Sequence, residues 1–351
     1  MCGRPRSGLS SLLHLRVAIA DNEQVLPAQM LNQWTSVRRW SFLVKLCLIT
    51  VTYNSEEVLP GFLDSLEHAV IDGGVIEVVA VDNASTDGTL EILASRASDI
   101  VTIRSVTNDG YAAGINRAMK HCEDADAYLV LNPDARLLPG SIQVLADCLQ
   151  SQRIGIVVPK MLRSDGSLRL SLRRSPSLMR VWVEVFIGSE RASKVGCLGD
   201  RIGDISQYES SHSVAWASGA AMMISRECIE LVGPWDETFF LYSEETDFCL
   251  RARSSGLLTY YCAEASVVHI GGQSRVSPEL FAILTLNRIR CYRKHFGVVR
   301  AALFATAIFV KQTLRLVRSR RTASETLRYL LLPKVRNANL RRMRVRGVSS
   351  N

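Results

Sequence analysis

The chain has 351 residues, 47% of them hydrophobic and 22% charged, which is typical of a globular protein with one large domain and an appendage, or with two domains. Its nine cysteines are scattered, with no CxxC pair and no zinc-type spacing, which fits free thiols in a reducing cytosol. No run reaches about 18 apolar residues, and residues 10–20 are interrupted by His14 and Arg16, so neither a spanning helix nor a signal peptide is predicted.

The positive charge is concentrated at one end of the chain. The formal net charge is +8, but the segment from Arg288 onward carries 17 Lys and Arg residues and a single acid, Glu325. That segment therefore has a net charge of +16, and the rest of the chain has −8. Such a tail suits anionic lipid or nucleic acid, whereas the acidic body suits neither.

The first half of the chain alternates predicted strands with predicted helices. Residues 1–42 show no clear period and are interpreted as a flexible extension. Apolar runs predict buried strands over residues 44–51, 76–81, 100–106 and 127–131. Apolar positions at helical spacing predict helices after Ser55, around residues 90–97, up to about His121 and from Pro139. This alternation predicts a parallel sheet with helices on both faces.

The pattern changes after the helix that Pro139 opens. It predicts a strand over residues 154–158, a hairpin turn at 164–167, a loop-rich insertion over 175–212 and short strands at 257–262 and 266–269. Ser225 and Ser243 are predicted to cap two helices, and a helical tail is predicted from near Pro278.

Polar side chains follow three of the predicted parallel strands at the point where each strand ends. They are Thr52, Tyr53 and Asn54, then Asp82 and Asn83, and then Asn132 and Asp134. Because the carboxyl ends of parallel strands meet at one edge of a sheet, these groups are expected around a common ligand site. Asp82 could accept hydrogen bonds from a base or ribose, and Tyr53 could pack against a base. Ordinary turn chemistry is the alternative for any single cluster.

Asp134 follows the central strand in the segment AYLVLNPDARLLPG. Pro133 ends the ladder pairing and fixes the backbone, so Asp134 leaves the strand on a defined path. A carboxylate there could hold Mg²⁺ or Mn²⁺ against a nucleotide diphosphate. The alternative is an aspartate that only caps the turn.

Three acids, Glu244, Glu245 and Asp247, fall in the first turn of a predicted helix and follow a cluster of aromatic residues. Acids are favoured there by the helix dipole alone. Three in four residues exceed what capping needs, and partial burial beside like charges would raise one carboxyl pKa into the range of a usable base.

Two further features are candidates for the same site. His269 ends a predicted strand before a glycine turn, which suits a metal ligand, although a lone histidine is more often structural. The second feature is a run of small and amide residues, Asn108, Gly110, Gly114 and Asn116. It allows close approach of the backbone to a ligand or tight helix packing.

Seven segments taken together resemble glycosyltransferase family 2, whose members have the GT-A fold. They lie in the family's order between residues 44 and 275 and read VTYN, VDNASTDGT, NDGYAAGIN, LNPDARLLPG, WASGAAMMI, FFLYSEETDFCLRAR and VVHIGG. The Asn-Pro-Asp form and the final VVHIGG are similar to the rhamnosyltransferase-like subgroup that builds bacterial cell-wall or O-antigen glycans. The resemblance implies an α/β GT-A domain over residues 43–276, with a mostly parallel central sheet and helices on both faces, followed by a helical basic tail over 277–351.

The resemblance also implies roles for individual residues. Asp134 would be the metal-binding acid with His269 as second ligand, and Glu245 would be the catalytic base with Asp247 and Glu244 close by. Substrate would be held by the strand-end and small-residue positions and by the WASG segment, namely Thr52, Tyr53, Asn54, Asp82, Asn83, Asn108, Gly110, Gly114, Asn116, Asn132, Trp216 and Gly219. The family more often has Asp at the positions of Asn132 and Glu245, so the choice of base between Glu244 and Glu245 stays open.

The implied activity is an inverting transfer of a sugar, with rhamnose from dTDP-rhamnose favoured by the subgroup, to a lipid-linked or polysaccharide acceptor in cell-envelope glycan synthesis. A UDP-sugar donor, including galactofuranose, and a catalytically inactive nucleotide-sugar-binding scaffold are the alternatives. A largely apolar stretch over residues 298–310, followed by basic clusters, predicts a protein at the cytoplasmic face of the membrane that contacts anionic lipid. Nucleic acid is not an expected partner, since no recognisable binding module accompanies the basic tail.

Overall fold

The computed structural model describes residues 44–271, 277–316 and 320–332, together with residues 334 and 337. The extension predicted over residues 1–42 and the basic cluster over residues 341–346 lie outside the described residues.

A nine-stranded mixed sheet forms the centre of the molecule. Its strands are β1 (Val44–Thr52), β2 (Gly74–Asp82), β3 (Val101–Arg104), β4 (Ala127–Leu131), β5 (Ala135–Leu137), β6 (Ile154–Leu162), β8 (His212–Val214), β10 (Ala221–Ser225) and β11 (Leu258–His269). Across the sheet they lie in the order β3-β2-β1-β4-β10-β6-β11-β5, and β8 pairs with β11. A separate two-stranded ladder pairs β7 (Leu172–Arg173) with β9 (Trp216–Ala217).

Helices connect and cover the strands. Those of the first part are α1 (Leu59–Ser65), α2 (Thr89–Ala94), α3 (Tyr111–His121) and α4 (Ser141–Leu149). Those of the second part are α5 (Leu178–Ile187), α6 (Ser189–Lys194), α7 (Arg226–Val232) and α8 (Glu244–Ser254). Two large clusters of buried side chains lie on the sheet, one around Ile49, Val130 and Phe248 and the other around Leu48, Leu129 and Leu145. The chain therefore has the two-layered apolar core that was predicted for a covered sheet.

The first four strands are parallel and have the predicted positions. β1 pairs with β2 and β4 in parallel, and Thr52 is in register with Asp82. β10 then lies antiparallel between β4 and β6, so the sheet is mixed beyond β4. The parallel part brings the ends of β1, β2 and β4 to one edge, as expected from the sequence.

Several local predictions were wrong. Residues 175–212 contain α5, α6 and a 3₁₀ turn at Ile205–Tyr208 instead of a loop-rich insertion. The two short strands predicted at 257–262 and 266–269 form the single strand β11, with a register shift between Cys262 and Ser266. Ser225 caps α7 as predicted by accepting from the Cys228 amide, but Ser243 makes no side-chain cap and has a φ of 72°.

Three further helices follow Pro278: α9 (Pro278–Phe296), α10 (Val298–Arg315) and α11 (Arg320–Leu331). They pack on one another and on α5 through a cluster that includes Val181, Phe304 and Ile308, and the rings of Tyr292 and Phe304 stack at 4.2 Å. Within the described part of the chain, no helix combines the length and the apolar character that a membrane crossing requires.

Candidate active site

The ends of β1 and β2 are held together around Asp82, which is buried. Its Oδ1 accepts from the Thr52 hydroxyl at 3.0 Å and from the Ser85 hydroxyl at 2.5 Å, and its Oδ2 accepts from the Ser85 amide at 2.9 Å. Asn54, with a φ of 46°, accepts from the Thr86 amide at 2.8 Å. Tyr53 is partly exposed between these two loops, and burial raises the pKa of its hydroxyl. The four predicted residues Thr52, Tyr53, Asn54 and Asp82 thus lie together.

The predicted amide and glycine positions carry structural contacts. The Asn83 side chain donates to the Gly110 carbonyl at 2.9 Å, and Asn108 accepts from the Gly110 amide at 3.1 Å. A side chain at Gly110, where φ is 96°, would meet the Phe240 carbonyl, and one at Gly114 would meet Val51 at 2.6 Å. These residues bring α3 close to β1 and to the loop before α8.

Asn116 is engaged with that loop rather than with the strand ends. Its Nδ2 donates to the Trp235 carbonyl at 2.9 Å and to Glu237 at 2.8 Å, while its Oδ1 accepts from the Trp235 amide at 2.9 Å. The contacts of Asn116 are therefore those of a structural residue, in place of the substrate contact expected from the sequence.

Asp134 and His269 meet at the carboxyl edge of the sheet. β5 and β11 pair antiparallel with His269 opposite Ala135, and the Ile270 amide donates to the Asp134 carbonyl at 3.0 Å. His269 Nε2 lies 3.2 Å from Asp134 Oδ2. Burial acts to raise the pKa of Asp134, but the hydrogen bond and charge of His269 outweigh it and lower that pKa. Although 135 residues apart in sequence, these two side chains are brought together as predicted.

This pair has the chemistry of a partial metal site. Two ligands of an octahedral ion with bonds of about 2.1 Å stand about 3 Å apart when adjacent, which matches the Asp134–His269 separation. Among the described residues no group of three or more His, Cys, Asp or Glu side chains could hold a metal. Asp134 and His269 are therefore two side chains that could supply part of the ligand set of a divalent ion, and their contact is also that of an ordinary ion pair.

Tyr111 links the Asp134–His269 pair to α8, the helix that begins with Glu244 and Glu245. Its hydroxyl donates to Asn132 Oδ1 at 2.6 Å, and the Asn132 amide donates to the Ala220 carbonyl at 2.9 Å. Burial raises the pKa of Tyr111 well above its ordinary value, and the charges of Glu244, Asp134 and Glu245 raise it further. The charges of the carboxylates predicted for metal binding and for base catalysis thus all act on this one phenol. The sequence analysis missed Tyr111, although it lies inside the NDGYAAG segment.

Glu244 and Glu245 begin α8 directly after two consecutive left-handed residues, Tyr242 and Ser243, with φ of 70° and 72°. Glu244 is buried, and its Oε2 has no hydrogen-bond partner among the described residues. Burial raises the pKa of Glu244 well above its ordinary value, and the neighbouring charge of Glu245 adds to the rise. Burial likewise raises the pKa of Glu245, which is partly exposed. Both carboxyls are therefore biased towards accepting a proton.

The WASG segment lies against Glu245. A Cβ built on Gly219 would be 3.1 Å from the Cβ of Glu245, so the glycine leaves room for this side chain. The Trp216 indole donates to the Arg174 carbonyl at 2.9 Å, and the guanidinium of Arg173 lies 5.9 Å from the centre of the indole ring. Gly219 is therefore next to Glu245, and β9, which contains Trp216, packs on α8.

Asp247 faces the C-terminal helices and is fully buried. Its Oδ2 accepts from Arg251 at 2.8 Å, and its Oδ1 lies 2.7 Å from Lys294 and 2.9 Å from His295. Burial acts to raise the pKa of Asp247, but these three partners outweigh it and lower that pKa to about 2. A carboxylate with such a pKa is a poor base, so Asp247 serves as an anchor of α8 rather than as a proton acceptor.

Comparison with known proteins identifies relatives of the chain. The model described as "Glycosyl transferase family 2" matches residues 47–208, and "Glycosyl transferase family group 2" matches residues 179–344. The N-acetylglucosaminyl-diphospho-decaprenol L-rhamnosyltransferase of Mycobacterium tuberculosis is 30% identical over 233 residues, which are 63% of this chain and 75% of that protein. The low-salt glycan biosynthesis hexosyltransferase Agl10 of Haloferax volcanii is 29% identical over 232 residues, 65% of this chain and 68% of that protein.

A similar solved structure is that of GalNAc-T7 with UDP, GalNAc and Mn²⁺. It matches with a TM-score of 0.56 and 13% identity, over 78% of this chain and 52% of its own chain. At this identity the likeness concerns the fold, and it confirms the predicted GT-A architecture.

We expect Asp247→Asn to destabilise the fold by about 2–4 kcal/mol at pH 7, because it removes a fully buried carboxylate from three partly buried partners. The pKa of Asp247 is about 2 in the folded state, against about 3.9 in an unfolded chain. Its ionisation therefore stabilises the wild type fully above about pH 4, and about 2–3 kcal/mol of that is lost as the pH falls towards 2. Urea unfolding of both proteins at pH 7 and at pH 2 measures the difference in their free energies of unfolding, which should be smaller at pH 2.

Asp124→Asn is the control, since Asp124 is exposed and pairs with Lys45 at 2.7 Å. It should leave stability at pH 7 nearly unchanged. Equal stability of Asp247→Asn and wild type at pH 7 would contradict the anchoring role.

Proposed function

The chain belongs to glycosyl transferase family 2 and is similar to its rhamnosyltransferases, and from this premise we propose an inverting transfer of a sugar from a nucleotide-diphosphate donor to a hydroxyl of a lipid-linked or polysaccharide acceptor in cell-envelope glycan synthesis. It is a hexosyltransferase by family and by its named relatives. The observation that supports the proposed mechanism is that the charges of Asp134, which contacts His269, and of Glu245 both act on the Tyr111 hydroxyl.

In this proposal the donor's nucleotide lies along the ends of β1 and β2. Tyr53 is exposed enough to pack against the base, while Thr52 and Asp82 form the polar floor beneath it. Asn132 and Tyr111 border the position of the sugar. The small volume of Gly219 keeps the space beside Glu245 open for the acceptor hydroxyl.

The proposed metal ligands are Asp134 and His269, which would hold Mg²⁺ or Mn²⁺. When bound, such an ion neutralises negative charge on the diphosphate. Asp134 keeps its charge at neutral pH because its pKa is lowered, and His269 fixes its orientation through the 3.2 Å contact. The similar structure of GalNAc-T7 contains Mn²⁺ together with UDP, which supports a divalent ion.

Glu245 is proposed as the base that takes the proton from the attacking acceptor hydroxyl. Its raised pKa and partial exposure combine proton affinity with access. Glu244 is more deeply buried, and its charge would repel that of Glu245. We therefore assign the proton transfer to Glu245, the less buried of the two carboxyls.

The proposed donor is dTDP-rhamnose, supported by the name of the mycobacterial relative. That name also includes a diphospho-decaprenol acceptor, which supports a lipid-linked acceptor here. A UDP-sugar such as UDP-galactofuranose is the alternative donor.

We further propose that the tail places the enzyme at the cytoplasmic face of the membrane, as a separate unit from residue 277 onward. On α10, apolar side chains that face away from the core are 77% exposed at Val299, 48% at Leu303, 39% at Phe309 and 60% at Leu314. Arg300 and Arg315 of the same helix supply positive charge. An apolar face beside basic residues favours an anionic lipid surface.

We expect Glu245→Gln to lower kcat at least about 100-fold while donor affinity stays unchanged, because the amide cannot accept the proton. Initial rates and calorimetric donor binding measure the two effects. Glu244→Gln is the matched control and should keep more than a tenth of the wild-type kcat. Near-normal turnover of Glu245→Gln would show that Glu245 is not the base. If the wild type with Mn²⁺ neither transferred sugar nor slowly hydrolysed the donor, the inactive scaffold would be favoured.

Asp134→Asn should weaken Mn²⁺-dependent donor binding at least about tenfold, because a neutral amide is a poorer ligand for a hard cation. Calorimetry with dTDP-rhamnose and UDP-galactofuranose, each with Mn²⁺ and with EDTA, measures this and compares the donors. In EDTA the variant and wild type should bind alike. Asp147→Asn on the exposed side of α4 removes the same charge away from the site and should bind like wild type; equal Mn²⁺ dependence in both variants would refute the assignment.

Leu303→Asp should reduce sedimentation with phosphatidylglycerol vesicles at least about fivefold, because it places a charge in the apolar face of α10. Neutral phosphatidylcholine vesicles should bind wild type weakly, as the basic residues gain nothing there. Val106→Asp is the control, since Val106 is 96% exposed on the sheet domain. Equal binding of both variants and wild type would count against α10 as the membrane face.

A further inference from the structure

An amphipathic segment, residues 168–173, runs beside the candidate active site. Its leucines, at positions 168, 170 and 172, pack on the core of the sheet. The alternate residues Arg169, Ser171 and Arg173 therefore share the other face. Arg169 donates to the Ile270 carbonyl at 2.9 Å, next to His269, and the Ser171 carbonyl accepts from the Ser218 amide at 3.1 Å, next to Gly219. This polar face thus extends from His269 towards Glu245.

Arg173 is a partly exposed cation without a carboxylate partner. Its Nη1 donates to the carbonyls of Leu170 at 3.0 Å and Leu172 at 3.1 Å, and its guanidinium lies over the Trp216 ring. Among the described residues, no Asp or Glu oxygen lies within ion-pair distance of it, and its charge acts on both Glu245 and Asp200. A charged guanidinium held in place but not neutralised is suited to bind an anionic ligand.

A second cation from α9 reaches the same place. Arg288 Nη2 lies 3.8 Å from Asp200 Oδ2, which is the long end of ion-pair distance, and this is its only ion pair among the described residues. Its side chain is 33% exposed. The charges of Arg173 and Arg288 both act on Asp200, but only Arg288 lies within ion-pair distance of it. These two cations and one carboxylate together carry excess positive charge.

We propose that Arg173 and Arg288 bind a phosphate group of the acceptor and thereby hold the acceptor sugar against Glu245. The proposal deepens the proposed function and rests on it in one respect, that Glu245 faces the acceptor hydroxyl. A sugar linked through its anomeric carbon to a diphosphate carries its phosphate about one ring away from its reacting hydroxyl. Arg173 lies opposite Trp216 in the β7–β9 ladder, and Gly219, three residues after Trp216, lies against Glu245. Such a phosphate would fall at this place.

The direction of the lipid follows from the neighbours of Arg288. Its charge also acts on Glu184 of α5, which pairs with Lys311 of α10 at 2.6 Å. Two residues further along α5, Phe186 is 78% exposed. The cationic cluster is therefore connected through Glu184 to α5 and α10, whose exposed apolar side chains offer a surface to the chain of a lipid diphosphate bound at the cluster.

Calorimetric binding of farnesyl diphosphate to the full chain in EDTA tests the subsite without donor, metal or turnover. We expect Arg173→Gln and Arg288→Gln each to weaken binding about tenfold, the loss of one charge-assisted hydrogen bond. Arg173→Lys should recover part of the loss. Arg201→Gln is the matched control, because Arg201 lies opposite Arg173 in a β-bridge but pairs with Glu190 at 2.7 Å, and it should bind like wild type.

Farnesol and inorganic pyrophosphate separate the two parts of the ligand. Wild type should bind farnesol weakly, and pyrophosphate more weakly than farnesyl diphosphate. Pyrophosphate binding as tight as that of farnesyl diphosphate would overturn the assignment to a lipid-linked acceptor. Equal affinities of wild type, Arg173→Gln and Arg288→Gln for farnesyl diphosphate would overturn the subsite itself. A protein that binds farnesyl diphosphate through Arg173 and Arg288 but transfers no sugar from any donor would keep the subsite and lose the proposed function.

Discussion

The buried carboxylate of Asp247 is the constraint on which the candidate site depends. It lies two residues after Glu245 on α8, and its partners come from α8 itself and from α9. Residues two apart on a helix point in different directions, so an anchor at Asp247 leaves Glu245 free to face the sheet edge. The helix start is a strained pair of left-handed residues, Tyr242 and Ser243, and such a start persists only where surrounding contacts hold it. The Asp247 ion pairs are contacts of this kind.

The contact between Asp134 and His269 depends on a different constraint, the pairing of β5 with β11. Asp134 leaves β4 after a proline, and the short strand β5 immediately pairs antiparallel with the end of β11. That pairing places His269 opposite Ala135, so Asp134 Oδ2 and His269 Nε2 come within contact distance. Asp134 is thus positioned by the sheet and Glu245 by a helix that ion pairs anchor, and the charges of both act on Tyr111.

The sequence predicts the parallel half of the sheet because its strands are short apolar runs that end in polar groups. It fails over residues 175–212. There α5 is stabilised by packing on α10, more than 100 residues further along the chain, and α6 packs on α5. The apolar run LMRVWVEVFI that forms α5 stands among serines, glycines and charges that favour a loop. Asp134 and Glu245 could be proposed from their local positions. The roles of Asp247 and Arg173 could not, because they depend on Lys294, His295 and Trp216 arriving from other elements.

Part of the positive charge of the C-terminal helices is paired within the protein. Lys294 pairs with Asp247, Lys311 with Glu184, and Arg288 approaches Asp200, so three cations of the basic segment meet three acids of the preceding chain. This accounts for part of the opposite net charges of the two segments. It also means that α9 and α10 are attached to the catalytic helix through charge pairs. The position of α8, which carries the proposed base, therefore depends on α9 through the ion pairs of Asp247.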